Sequence, residues 1–114
     1  MQPVTLLADM SELERVFVSD ARQTLLDEKA RLEAEIAELQ ASQRLLSVAI
    51  GELAHDGRRL SDALERVGGH DRALEGRRRT LRKSQSLSQT ELEVTSGRLE
   101  ALGARLREIE TQLR

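Results

Sequence analysis

The sequence predicts an all-α protein, a long antiparallel two-helix coiled-coil hairpin that turns near Gly68-Gly69 and forms part of a larger helical bundle. Three observations lead to this prediction. Leucine or valine recurs at every seventh position from Val18 to Leu81 without interruption. The 114 residues include one aromatic residue and one proline, and 33% of them are charged, a composition typical of long helices and unfavourable for β-sheets. Two consecutive glycines interrupt the helical pattern, and glycine is the residue that most often ends a helix.

The heptad register continues on both sides of the glycines. The residues at every seventh position from Val18 take the d positions, and apolar residues four positions later take many of the a positions. After the glycines the same register holds, with Leu92, Leu99, Leu106 and Leu113 at a and with Leu102 and Ile109 at d. Such sustained spacing indicates a coiled coil. Gln43 also falls at a, where it predicts a polar layer opposite Thr95 that fixes the register.

The charges favour an antiparallel partner within the same chain. In a parallel dimer each g residue meets the e residue five positions on, so that Glu28 would repel Glu33 and Arg77 would repel Arg82. Folding back at the glycines instead places leucine opposite leucine along the seam. It also pairs opposite charges at g positions, namely Glu28 with Arg105, Glu35 with Arg98, and Asp56 with Arg77. A domain-swapped dimer that opens at the glycines would form the same helix pairs between two molecules.

The chemistry of residues 68–71 favours a turn at this point. Glycine inside a helix costs about 1 kcal/mol relative to alanine, whereas it readily ends a helix in the left-handed conformation, and Asp71 suits the cap of the next helix. A turn at residues 55–57 is the alternative, but it would leave the last leucine heptads unpaired. Ser11 and Glu14 match a capping box. We therefore expect a single coiled-coil domain with an N-terminal segment at 1–11, helix one at 12–67, a turn at 68–70 and helix two at 71–114.

Two sets of apolar residues lie outside the predicted seam. Helix two would end opposite Thr24, so the apolar residues before it have no partner within the chain. We call these residues the N-terminal stripe: Leu6, Met10, Leu13, Phe17 and Ala21. A second set, the central patch, takes outer heptad positions in a stretch with few charges: Leu45, Val48, Leu87 and Val94. Because outer positions should be polar, both sets predict binding to other helical proteins or self-association.

The sequence gives no support for catalysis. It has no cysteine, no glycine-rich phosphate loop and no metal-ligand spacing, and its two histidines, His55 and His70, stand in isolated His-Asp pairs. We therefore expect a protein that is not an enzyme and that has no cofactor or metal site. The basic segment from Arg77 to Lys83 suits phosphate contacts. Nucleic-acid binding is nevertheless disfavoured, because no aromatic residue is interleaved for base stacking.

The expected function is that of a non-catalytic assembly or scaffold subunit that binds protein partners within a larger complex. Two alternatives stay open: an adaptor, stalk or chaperone of a protein transport or secretion machine, and a nucleic-acid-associated hairpin that uses Arg77 to Lys83. The most apolar stretch, RLLSVAIGELA at 44–54, is too short to span a bilayer. The first ten residues do not resemble a signal peptide, and the lack of cysteine fits a reducing compartment. We therefore expect a cytoplasmic location.

Overall fold

The computed structural model describes the backbone of residues 2–114 and the side chains of residues 12–114. Over this range the fold is an all-α helical hairpin of two helices, α1 (Gln2–Arg66) and α2 (Arg72–Leu113), which make many contacts with each other. No strand occurs in the described backbone. The predicted all-α hairpin is therefore confirmed.

The hairpin divides into two compact units. The terminal unit comprises the chain up to Ile36 together with Leu102–Arg114, and the turn unit comprises Ala37–Ala101. Each unit contains part of α1 and part of α2, so each has its own section of the helix–helix seam.

The first helix begins at Gln2, ten residues earlier than the capping box predicts. Ser11 and Glu14 lie inside α1, so they do not mark its start. Pro3 is compatible with this start, since a proline in the first turn lacks only an N–H that would be unpaired there in any case. The leucine and alanine residues that follow have high helix propensity and extend the helix backwards.

The turn lies at Gly68-Gly69, and residues 55–57 continue α1. Gly68 and Gly69 have φ angles of 84° and 85°, the left-handed region that glycine enters without a steric penalty. The Gly69 N–H donates to the carbonyl of Leu64 at 2.7 Å and the Gly68 N–H donates to that of Glu65 at 3.1 Å. This pair of bonds is the Schellman motif, which satisfies the last carbonyls of a helix.

Asp71 starts the second helix. Its carboxylate oxygen Oδ1 accepts a hydrogen bond from the Leu74 N–H at 3.0 Å, and its carbonyl accepts one from the Glu75 N–H at 2.9 Å. Asp71 is therefore the N-cap that the sequence predicts, and Glu75 adds a favourable negative charge to the first turn. Cap and turn together reverse the chain within five residues, since α1 ends at Arg66 and α2 begins at Arg72.

The seam is apolar but contains few fully enclosed side chains. Among residues 12–114, the buried hydrophobic side chains are Leu64, with 5% of its surface exposed, and Ile109, with 0%. The other leucine and isoleucine residues at a and d positions, from Leu25 onward, are half-buried. Gln43 forms the predicted polar layer, but its amide Nε2 donates to Ser96 Oγ at 3.1 Å, so its partner is the residue next to Thr95.

Candidate partner-binding surfaces

The end of α2 leaves the first part of α1 without a helix beside it. In the terminal unit, Arg22 Nη1 donates to the carbonyl of Leu113, the last residue of α2, at 3.1 Å. The two helices therefore separate at the level of Arg22, two residues from the predicted Thr24. Residues 12–21 of α1 therefore extend past the end of α2.

The N-terminal stripe is exposed wherever its side chains are described. Leu13 exposes 57% of its surface and Phe17 exposes 70%, and Ala21 is exposed as well. These three residues are spaced four apart and therefore lie on one face of α1. Leu6 and Met10 lie outside the residues whose side chains are described. Two more apolar residues flank the stripe and are also exposed: Val16 at 56% and Val18 at 68%.

The central patch is exposed in the turn unit. Its four side chains all expose more than half of their surface: Leu45 72%, Val48 60%, Leu87 59% and Val94 67%. All but Val48 take c positions, which in an antiparallel pair flank the g positions of both helices on one side of the hairpin. Val48, at f, lies on the outermost face of α1. Most of the g positions between them carry small uncharged residues: Ser42, Ala49 and Ser84.

One predicted charge pair fixes the register of the terminal unit. Arg105 Nε donates to Glu28 Oε1 at 2.8 Å and Arg105 Nη2 donates to Glu28 Oε2 at 2.9 Å, and Arg105 Nη1 also reaches Glu108 at 3.0 Å. The hydrogen bonds from Arg105 lower the pKa of Glu28 below its ordinary value, and the hydrogen bond to Glu28 raises the pKa of Arg105. A bidentate pair of this kind is directional, so it selects one alignment of the helices.

The other two predicted charge pairs are Asp56 with Arg77 and Glu35 with Arg98. Asp56 and Arg77 line the same groove in the turn unit, beside Leu60. No ion pair within 4.0 Å joins them among the described side chains; both are exposed to water, which weakens such an attraction. The pairing of Glu35 with Arg98 stays a prediction.

A groove beside Gly57 combines three arginines from both helices. It has a volume of about 410 Å³ and is lined by Arg58 of α1 and by Arg78 and Arg82 of α2, with Asp62 as its only carboxylate. The basic segment of α2 is evident in the sequence as a run of charges, whereas Arg58 is not part of any such run. The signal that could have found it is the antiparallel register, which places the residues around Gly57 opposite those around Leu81.

Comparison with models of protein families, with curated proteins and with solved structures gave no match. Neither helix, over its described residues, offers an apolar stretch long enough to cross a membrane. Among the described side chains, no three histidine or carboxylate groups are placed to hold a metal ion, and His55 and His70 are both exposed.

Proposed function

We propose that the protein is a non-catalytic coiled-coil subunit that binds helical protein partners and holds them in a larger complex in the cytoplasm. The observation that carries this proposal is the exposure of Leu13 and Phe17 on a part of α1 that α2 does not reach. An aromatic and an aliphatic residue one helical turn apart are typical anchors of a helix that docks into a partner's groove. Covering each of them would contribute about 1.5–3 kcal/mol.

The small core supports the same proposal. A chain with two buried hydrophobic side chains among residues 12–114 gains stability from any partner that covers its apolar surface. The central patch offers such a surface in the turn unit, where a third helix or a second hairpin would complete a helical bundle. Isolated exposed apolar residues are common on protein surfaces, but the c residues of this patch flank g positions that are largely uncharged.

A site-specific photo-crosslinking experiment tests the proposal. A photoreactive phenylalanine analogue at Phe17, in cells of the source organism, should give one reproducible adduct with a partner protein. The matched control carries the analogue at Gln40, which is exposed at an e position outside both surfaces. It should give no such adduct. The partner identified in this way also distinguishes an assembly subunit from an adaptor of a transport machine.

Substitution of the two anchors provides the second part of the test. The double variant Leu13→Ser/Phe17→Ser should no longer co-purify with the partner that crosslinking identifies. Its far-ultraviolet circular dichroism should stay close to wild type, since both side chains are exposed. The corresponding change in the central patch, Leu45→Ser/Val94→Ser, shows whether that surface holds the same partner. If the partner remains bound to Leu13→Ser/Phe17→Ser, or if Gln40 and Phe17 give the same adducts, the proposal is wrong.

A further inference from the structure

We propose that the groove beside Gly57 binds the carboxylates of an acidic helix in a partner protein. This goes beyond the function proposed above, because the groove lies in the turn unit and shares no residue with the N-terminal stripe or the central patch. The two proposals can therefore fail separately.

The groove has an excess of positive charge. Arg58, Arg78 and Arg82 line it, and Asp62 is the one carboxylate among its lining residues. Within the described side chains, none of the three arginines has a hydrogen bond or ion pair that would occupy its guanidinium. Each guanidinium presents five N–H donors in a planar fork that matches a carboxylate. A bound carboxylate would therefore gain charge-assisted hydrogen bonds without breaking bonds that already exist.

Three residues that line the groove take a positions without being apolar side chains of the seam: Gly57, Arg78 and Gln85. Gly57 takes an a position in α1, although alanine there would be about 1 kcal/mol more favourable for the helix. A Cβ at this site would lie 3.5 Å from Leu81 Cδ2 and 3.9 Å from Gln85 Nε2, which is ordinary contact, so packing does not require glycine.

Arg78 is the second departure, since it is a half-buried charge at an a position of α2. Neither residue adds an apolar side chain to the seam, and both line the groove. Local violations of an otherwise consistent pattern are expected at functional sites.

The spacing of the arginines indicates a helical ligand. Arg78 and Arg82 are four residues apart, about 6 Å along the axis of α2. Glutamates four apart on a facing helix have the same spacing. Leu81 also lines the groove and offers an apolar contact to the stem of such a side chain.

Nucleic acid fits this groove less well than an acidic helix does. Non-specific binders of single strands stack bases on aromatic side chains, whereas the one aromatic residue of this chain, Phe17, lies outside the turn unit. The net charge of the protein is −2, which opposes the approach of a polyanion over long distances. A short acidic helix with a few carboxylates is repelled less.

A peptide-binding measurement tests the proposal. The probe is a fluorescently labelled alanine-rich helical peptide with glutamates four residues apart. Binding to the full chain is followed by fluorescence anisotropy at low ionic strength. Two further probes define the chemistry: the same peptide with glutamine at each glutamate, and a labelled DNA oligonucleotide of similar charge. We expect the glutamate peptide to bind more tightly than either of them.

Charge-matched variants locate the site. Arg78→Gln/Arg82→Gln should weaken binding of the glutamate peptide about tenfold or more, because it removes two contacts in the groove. The control, Arg79→Gln/Lys83→Gln, removes the same charge from exposed neighbours that do not line the groove and should change binding less than about threefold. Arg58→Gln, which leaves α2 unchanged, should weaken binding as well.

Four results would contradict binding of an acidic helix in the groove. Equal losses in the two double variants, tighter binding of DNA, equal binding of the glutamine peptide or no binding at all would each overturn the groove proposal. Circular dichroism on every variant shows that the hairpin has folded. The variant Leu13→Ser/Phe17→Ser should bind the peptide like the wild type, so that failure of the groove and failure of the N-terminal stripe give different results.

Discussion

Alanine in place of Gly69 and alanine in place of Gly57 should change the free energy of unfolding in opposite directions. Gly69 has a φ angle of 85°. An alanine in the left-handed region costs about 1–2 kcal/mol because its Cβ approaches the following carbonyl oxygen. The Gly69 N–H would still have to donate to Leu64 to end α1, so the strain cannot relax without loss of the cap. We expect Gly69→Ala to destabilise the protein by about 1–2 kcal/mol.

The same substitution inside α1 should stabilise the protein. Replacing a helical glycine with alanine contributes about 1 kcal/mol, and this is the whole effect expected at Gly51, where a Cβ would meet nothing within 4 Å. At Gly57 the new Cβ would also touch Leu81 Cδ2 at 3.5 Å. Partial burial of one methyl group adds up to about 0.5 kcal/mol, so Gly57→Ala should equal or exceed Gly51→Ala.

Urea titration followed by circular dichroism measures all three variants under the same conditions. Linear extrapolation then gives the free energies of unfolding. Gly51→Ala serves as the matched control, because it carries the gain in helix propensity without a new contact. A gain in stability at Gly69 as large as that at Gly51 would refute the reasoning, since it would mean that the helix continues through Gly69.

Three further predictions concern the seam. Ile109→Ala should lower the free energy of unfolding by about 2–5 kcal/mol. The control Val94→Ala, at a site that is 67% exposed, should change it by less than about 0.5 kcal/mol. Urea titration of both variants measures the two changes, and equal losses of stability would contradict the prediction. Glu28→Gln should be less stable than the wild type at neutral pH, because Arg105 lowers the pKa of Glu28 from its ordinary value of 4.5. A lowered folded-state pKa stabilises the protein above pH 4.5, and this contribution is lost as the pH falls through the folded-state value. The difference between wild type and variant should therefore shrink in acid, and a constant difference would count against the pair. Gln43→Leu should raise the stability by about 1 kcal/mol, since it replaces a polar layer with an apolar one; a lower urea midpoint would contradict this.

Much of the fold follows from short-range signals in the sequence. The turn is predictable because two adjacent glycines supply both left-handed residues of the cap and Asp71 supplies the next N-cap, all within four positions. The pairing of Glu28 with Arg105 is predictable because a continuous heptad pattern determines which residues face each other once the turn is placed.

Other features could not be predicted from short stretches of sequence. They depend on competition between two possible helix starts, or on contacts between residues that are distant in the sequence. Ser11 and Glu14 match a capping box, but the residues before them favour the helix strongly enough for α1 to start at Gln2. Arg58 is far from Arg78 in the sequence and takes a different heptad position, so only the folded turn unit brings them to one groove. An exposed apolar patch indicates that a partner binds there, but it does not identify the partner.

The intrachain hairpin is tested most directly by a spin-label distance between Glu38→Cys and Glu100→Cys, measured in protein diluted with unlabelled chains. The chain has no cysteine and both sites are exposed in the turn unit. The hairpin predicts a distance of roughly 20 Å that survives dilution, since packed helices lie about 10 Å apart and the labels project outward. A distance of about 90 Å, as in one continuous helix, or a short distance that disappears on dilution would contradict the intrachain hairpin.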